Sequence, residues 1–207
     1  MSASADRLNQ LLTQSNSQPL TLEQSEKFTA YLALLQKWNA RTNLTAIRGE
    51  EGILSRHFLE SILCARALPA GIQTLLDFGS GAGFPGLPIA ILRPEIVVTL
   101  AESQNKKAAF LREAIRTLNI QAQVHSARAE ELKTRFDCVT LRAVDNMQAA
   151  IPAAIQLLTP NGQLALLTTS TDAPTLQSLI SEPFLWQPPI PLQAGTSRLL
   201  LCGTRAK

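Results

Sequence analysis

Apolar residues recur at helical spacing over the first third of the chain and at strand spacing, between helices, from Thr74 onward. A short helix is predicted around Leu8, Leu11 and Leu12, ending in the polar run 15–19. Thr21 to Gln24 reads as a capping box. The helix behind it places Phe28, Tyr31, Leu32, Leu35 and Trp38 at helical spacing. The polar stretch 39–45 breaks it. A third helix carries Ile53, Leu54, Phe58, Ile62, Ala65 and Leu68 on one face, with His57 at the edge of that face as a core-edge histidine.

From Thr74 the pattern changes. Short apolar strands are predicted at 74–76, 96–101, 122–125, 137–141, 164–167 and 198–202. Between them lie helical patterns at 87–92, 110–118, 147–158 and 173–180, with Pro160-Asn161-Gly162 as a turn and the proline-rich 186–192 as a strand edge. Alternation of this kind means a parallel sheet with helices on both faces. The connection before the final strand is too short for a crossover helix, so an antiparallel pair is expected there. The expected organisation is a helical extension, 1–70, packed on an α/β core, 71–207, as one structural domain.

The core opens on Asp77-Phe-Gly79-Ser-Gly81-Ala-Gly83, between a strand and a helix. Gly79 and Gly81 can take positive φ and leave bare backbone at the helix start. A dinucleotide site would space its glycines Gly-x-Gly-x-x-Gly and place a pyrophosphate there, which an acid at the strand end would repel. Asp77 instead suits a ligand with an ammonium group and hydroxyls, such as S-adenosyl-L-methionine. A tight turn without ligand is the plain alternative. In such sheets ligands lie beyond the C-terminal strand ends. Glu102 closes the second strand, where a carboxylate can accept from both ribose hydroxyls. Ser103 can cap the next helix. Ala129 and Glu130 follow the third strand and can border an adenine. Arg142 ends the fourth strand, where cofactor and substrate should meet; a surface salt bridge is the plain alternative.

Composition narrows the classes. The 207 residues carry a net charge of +3, a mild lean toward an anionic partner. Cys64, Cys138 and Cys202 are odd in number and scattered, which argues against a disulfide frame or a zinc site. No signal pattern or membrane-length apolar run is present, so a cytoplasmic location is expected, with no metal and no membrane partner. The chain has no Pro-Pro-aromatic loop after the fourth strand, where LRAVDN stands. Cys138 lies inside a strand and reads as core. A ring nitrogen with a free lone pair needs neither device and can attack a methyl group directly once aligned.

The segments WNARTNLTAI (38–47), RHFLES (56–61), LLDFGSGAGFPGLPIAI (75–91), ESQNKKAAFLREA (102–114), ARAEEL (127–132) and FDCVTLRAV (136–144) resemble the bacterial small-subunit rRNA guanine-N7 methyltransferases, the glucose-inhibited division protein B family. The resemblance implies a Rossmann-like class I S-adenosylmethionine-dependent fold and formation of 7-methylguanosine in 16S rRNA near the decoding site. It also implies cofactor contacts at Gly79, Phe84, Ala129, Glu130 and Arg142. Three departures stand out: Glu60 and Glu102 where the family usually has Asp, and Leu167-Thr168-Thr169 where Lys-Gly is frequent. With Gly81, Glu102 and Ser103, these residues make the expected cofactor set, and Arg142 the expected aligning residue. Arg48, Arg56, Lys106, Lys107 and Arg198 are expected near the cavity mouth as RNA phosphate contacts, with Asn43 a further candidate. The expected partner is 16S rRNA or the 30S subunit, bound by a monomer. A small-molecule methyltransferase and a non-catalytic RNA-binding module are the rival readings.

Overall fold

A computed structural model describes residues 2–180 and 183–206; the outer ends of the two expected segments, Met1 and Lys207, lie outside the described residues. The chain opens with helices α1 (Ala3–Gln14), α2 (Leu22–Asn39), α3 (Glu50–Gly52) and α4 (Glu60–Ala67). A π-helical turn, Ile53–Leu59, joins α3 to α4. Thr21 forms the capping box of α2: its hydroxyl accepts from Gln24 N, and the Gln24 side chain accepts from Thr21 N. The π turn widens the helix where Ile53, Leu54, Phe58 and Leu59 are all buried, and sets His57 against the cavity described below.

Then follow β1 (Thr74–Phe78), α5 (Gly86–Leu92), β2 (Val97–Ala101), α6 (Asn105–Leu118), β3 (Ala122–His125), β4 (Phe136–Arg142), α7 (Met147–Gln156), β5 (Leu158–Thr169), α8 (Ala173–Ser178), β6 (Phe184–Trp186), β7 (Ile190–Pro191) and β8 (Arg198–Arg205). The sheet order is β3-β2-β1-β4-β5-β8-β6, with β7 also on β8. Strands β1 to β5 are parallel, and β8 is antiparallel to β5, β6 and β7. The short-connection argument is thus met at β7–β8.

Side chains alternate across this sheet, and each face builds its own core. Leu75, Val98, Leu100, Cys138 and Leu200 pack with α5, α6 and the N-terminal helices in one cluster. Leu76, Val139, Leu141, Leu164 and Leu166 pack with α7 and α8 in the other. The N-terminal helices therefore share a core with one sheet face. Cys64, Cys138 and Cys202 are buried free thiols whose burial raises their pKa, and Cys138 lies inside the sheet, as read.

The expected turn at Pro160-Asn161-Gly162 lies inside β5. Leu158 pairs with Phe136 and Gln163 with Cys138, so the four residues between them bulge while the ladder resumes in register. Asn161 takes φ +63° there. The turn residues do bend the chain, but the strand runs through the bend.

Candidate active site

The C-terminal ends of β1, β2 and β4, the loop after β3 and part of the helical extension enclose a cavity of about 680 Å³. Its floor is the turn between β1 and α5. Gly79, Gly81 and Gly83 have φ of +71°, +57° and +92°, in the left-handed region where a side chain is strained. The turn is held from three sides. Tyr31 of α2 donates through its hydroxyl to Ala82 O at 2.5 Å. Gly81 N donates to Glu102 Oε2 at 2.9 Å. Ser80 Oγ donates to Asp77 O at 2.9 Å. A Cβ on Gly81 would meet only Gly79 O, at 3.9 Å, so Gly81 faces open space; one on Gly83 would run into Leu87 and the Tyr31 hydroxyl.

Asp77 does something other than its expected ligand role. It is buried, does not line the cavity, and lies under the turn. Oδ1 accepts from Thr140 Oγ1 at 2.8 Å and Oδ2 from Gly86 N at 3.2 Å. Strand alternation is the cause: Asp77 shares the face of Leu75 that packs toward α5, so the carboxylate ties the strand to the helix start. Burial pushes its pKa up to about 6 against the hydrogen bonds that lower it.

Glu102 does line the cavity and is 6% exposed, not a solvated strand-end acid. Besides Gly81 N it accepts from Gln104 N through Oε1 at 2.7 Å. The N-cap of α6 is Gln104 and its side chain makes no capping bond. Ser103 is therefore not the cap: Glu102 takes up the Gln104 amide instead, and Ser103 lines the cavity. Two carboxylate oxygens offer about four acceptor positions, and two remain after these bonds. Ala129 and Glu130 form a single 3₁₀ turn, Ala129–Glu131, on the same wall, Ala129 buried and Glu130 exposed. Phe84 completes it, stacked between His57 (4.5 Å between ring centroids) and Tyr31 (5.2 Å).

Opposite lies a rim built from charge. Arg142 borders the cavity with its side chain 6% exposed. Nη2 donates to Glu60 Oε2 at 2.9 Å and to Arg56 O at 2.5 Å, while Nη1 is buried without a partner. Glu60, fully buried, also accepts from Arg198 Nε and Nη2, both at 3.3 Å, and lies 3.5 Å from Arg56 Nε. One carboxylate thus gathers three guanidiniums. The surface salt bridge weighed for Arg142 is a buried one. The next residue, Ala143, takes φ +49°, a strained conformation for a residue with a Cβ. His57 donates or accepts through Nε2 with Thr45 Oγ1 at 2.7 Å, and its Nδ1 is buried without a partner. Burial, then the positive charge of Arg142, Arg56 and Arg198, pushes its pKa down to about 3.

Not all expected cations reach the mouth. Lys107 lines it, and Arg56 and Arg198 join its rim through Glu60. Arg48 is engaged with Asn43 Oδ1 at 2.7 Å, and neither residue lines the cavity; nor does Lys106, which is exposed. The exposed first turn of α6 carries Lys106 and Lys107 on neighbouring but different directions, so one faces the mouth. The residue-by-residue reading missed Glu60 and Tyr31 as site residues. The Arg56/Glu60 spacing of four on a helix was visible, but its burial was not. Among the described residues no three metal-ligating side chains gather.

A sequence model of the family described as rRNA small subunit methyltransferase G matches residues 24–183. A protein of that description from Roseiflexus sp. (strain RS-1) is 45% identical over 152 residues, covering 70% of this chain and 65% of the relative. One from Clostridium beijerinckii is 40% identical over 169 residues, covering 77% and 70%. The chain spans about two thirds of the length of such relatives. Among solved structures, a ribosomal protein L11 methylase from Lactobacillus delbrueckii superposes with TM-score 0.60 at 15% identity, covering 72% of this chain and 77% of that one. An S-adenosylmethionine-dependent O-methyltransferase from Thermotoga maritima gives 0.60 at 14%, covering 72% and 65%. Those likenesses carry the class I methyltransferase fold. The glycine turn, Glu102, Arg142 and Glu60 all lie inside the matched residues 24–183, and the chain belongs to the rRNA small subunit methyltransferase G family.

Proposed function

We propose that this chain is an S-adenosyl-L-methionine-dependent methyltransferase that forms 7-methylguanosine in 16S rRNA of the small ribosomal subunit. The observation that carries the reading is a buried carboxylate, Glu102, with free acceptor positions beside the bare backbone of Gly79 to Gly81, across the cavity from Arg142. Glu102 accepts from the ribose hydroxyls. Gly79, Gly81 and Phe84 bound the methionine side, Ala129 and Glu130 the adenine, and Ser103 the wall between. The cavity volume, the open space at Gly81 and the spare acceptor positions fit that cofactor.

When bound, the cofactor supplies an electrophilic methyl group. The protein's part is alignment. Guanine N7 carries a lone pair and no proton, so no base is required. Guanine O6 is an acceptor that Arg142, on the cavity wall, can hold while the N7 lone pair stays free for the methyl group. His57 is neutral around pH 7 and adds no competing cation on the cavity wall. The helical extension, 1–70, shapes the RNA side. Arg48, Lys106 and Lys107, with Asn43, contact RNA outside the cavity mouth or at it. The protein acts as a cytoplasmic monomer; no helix among the described residues is long and apolar enough to cross a membrane.

The test is methyl transfer to purified 30S particles, to naked 16S rRNA and to a panel of small-molecule acceptors. The 30S or rRNA arm should be labelled, and 7-methylguanine should disappear from 16S rRNA of cells lacking the gene. Labelling confined to a small molecule would overturn the substrate, and absence of S-adenosylmethionine binding by calorimetry would overturn the enzyme.

A further inference from the structure

We infer that Glu60 is a positioning residue that gathers Arg56, Arg142 and Arg198 at the cavity rim so that Arg56 and Arg198 form a binding site for a phosphodiester of the substrate strand beside Arg142. The inference rests on the RNA reading above. Glu60 is 0% exposed and does not line the cavity, so its role would be indirect, through the arginines. A lone buried carboxylate is costly to strip of water, so it persists only with partners. Here it has three cations and supplies one negative charge, leaving about two positive charges in excess.

The three arginines are graded in exposure. The Arg142 side chain is 6% exposed, Arg198 21% and Arg56 45%. The innermost borders the cavity; the outer two share Glu60 at longer distances, 3.3 and 3.5 Å, and their remaining guanidinium nitrogens are available to another acceptor. Two forked donors around one anion match a phosphate, which accepts in the same planar bidentate manner as a carboxylate. A phosphodiester bound at Arg56 and Arg198 would bring the adjoining nucleotide to the mouth of a cavity that Arg142 also lines. His57, whose charged form burial and the three arginines disfavour, stays uncharged and adds nothing to the excess on the arginines.

Glu60 is the part that separates this arrangement from a general basic face. Its removal raises the local positive charge while releasing the geometry. Wild type and the variants Arg56→Ala, Arg198→Ala, the double variant, Glu60→Gln and Glu60→Asp should be titrated with 30S particles over a salt series. The same variants are then followed by single-turnover methylation and S-adenosylmethionine calorimetry. Each arginine variant should lower the log-log salt slope by about one and the double variant by about two, with cofactor affinity unchanged. Glu60→Gln should keep or steepen the slope yet slow methylation at saturating particle at least about tenfold, and Glu60→Asp should recover part of that rate. An unchanged slope in the arginine double variant, where wild type binds with a clear salt slope, would overturn the site alone. A Glu60→Gln protein that is folded by circular dichroism and methylates at the wild-type rate would overturn the positioning role. If Glu60→Gln does not fold, the arginine slopes and the Glu60→Asp rate still decide. A wild type that neither binds nor methylates 30S particles would instead fail the RNA reading beneath both.

Discussion

On one side of the cavity the protein presents backbone, and on the other it presents charge. The wall at β1 and β2 is three glycines at positive φ, with Asp77, Tyr31 and Glu102 all engaged in holding that backbone. The rim at β4 and β8 is three arginines around Glu60. Asp77 and Glu102 show the contrast in miniature. Both are acids on neighbouring strands near the turn, yet Asp77 lies sealed beneath it and Glu102 opens onto the cavity. A bare-backbone wall loses ligand space with every added atom, whereas a charged rim tolerates changes in proportion to the charge they move. The two sides should therefore fail differently: the first through ligand loss at low salt dependence, the second through rate and salt response.

The largest expected effect is on the backbone wall. Gly81→Val puts a β-branched side chain at φ +57° and into the open space that the cofactor reading requires. Left-handed strain costs about 1–3 kcal/mol, so the fold should survive. Cofactor affinity should fall at least about a hundredfold, some 2.7 kcal/mol. Calorimetry on a variant whose unfolding remains cooperative decides it; unaltered affinity would mean that the space at Gly81 is not ligand space.

Next comes Glu102→Ala. It would remove the proposed ribose acceptor and the tie to Gly81 N together. Bonds to a charged acceptor are each worth about 1.5–3 kcal/mol, so a tenfold to hundredfold loss is expected. S-adenosylmethionine and S-adenosylhomocysteine should weaken equally, because both carry the ribose. A loss for one of them only would move Glu102 away from the ribose.

The two walls were unequally legible in the sequence. Glycines at two-residue spacing between a strand and a helix announce a bare-backbone turn, because few other residues take those angles. Glu102 and Arg142 followed from counting strand ends. Asp77 was misread because sequence spacing places a residue near a turn but does not say which face of the strand it leaves by. Glu60 was visible as a substitution of one acid for another and as a helical partner of Arg56, but not as a buried hub. Its meaning depends on Arg198, 138 residues away, and on burial, neither of which local periodicity encodes. The β5 bulge was hidden for a related reason: turn residues were read as a stop, while the pairing with β4 carries the strand through them.

On the rim, Arg142→Lys keeps the charge and discards the planar fork. Misalignment is the expected fault, so single-turnover methylation of 30S particles should drop about tenfold while particle binding changes little. Equal losses in both would make Arg142 a phosphate anchor, the role proposed for Arg56 and Arg198. No loss in either would remove it from the site.

A smaller effect is expected where the helical extension meets the turn. Tyr31→Phe deletes the bond to Ala82 O and leaves a buried carbonyl unpaired, costing about 1–3 kcal/mol of stability. Cofactor affinity should weaken a few-fold, since Glu102 and Ser80 still hold the turn. Unfolding midpoints and calorimetry on the same preparation separate the two. A stability loss with no change in affinity would show that the extension supports the turn without shaping it.

The smallest expected effect is pH dependence of the chemical step. His57 titrates at about 3, below its ordinary 6.5, because burial and three arginines disfavour its charged form. Asp77 is ionised above about 6 and does not reach the cavity. His57 therefore keeps its charge state between about pH 7 and 9 and attack by N7 needs no base, so the single-turnover rate should vary less than about twofold there. The groups show themselves instead in stability. The unfolded chain binds a proton at His57 below 6.5 that the folded chain refuses until about 3, so His57 costs stability as pH falls through that window. Asp77 acts with the opposite sign: its folded pKa lies above the usual 3.8, so its contribution is full below 3.8 and is lost as pH rises to about 6. His57→Gln should therefore flatten the acid side of the melting-temperature curve without altering the rate plateau. A rate that climbs tenfold per pH unit across neutrality in the wild type would reveal a working base, and with it a chemistry that neither wall, as built, supplies.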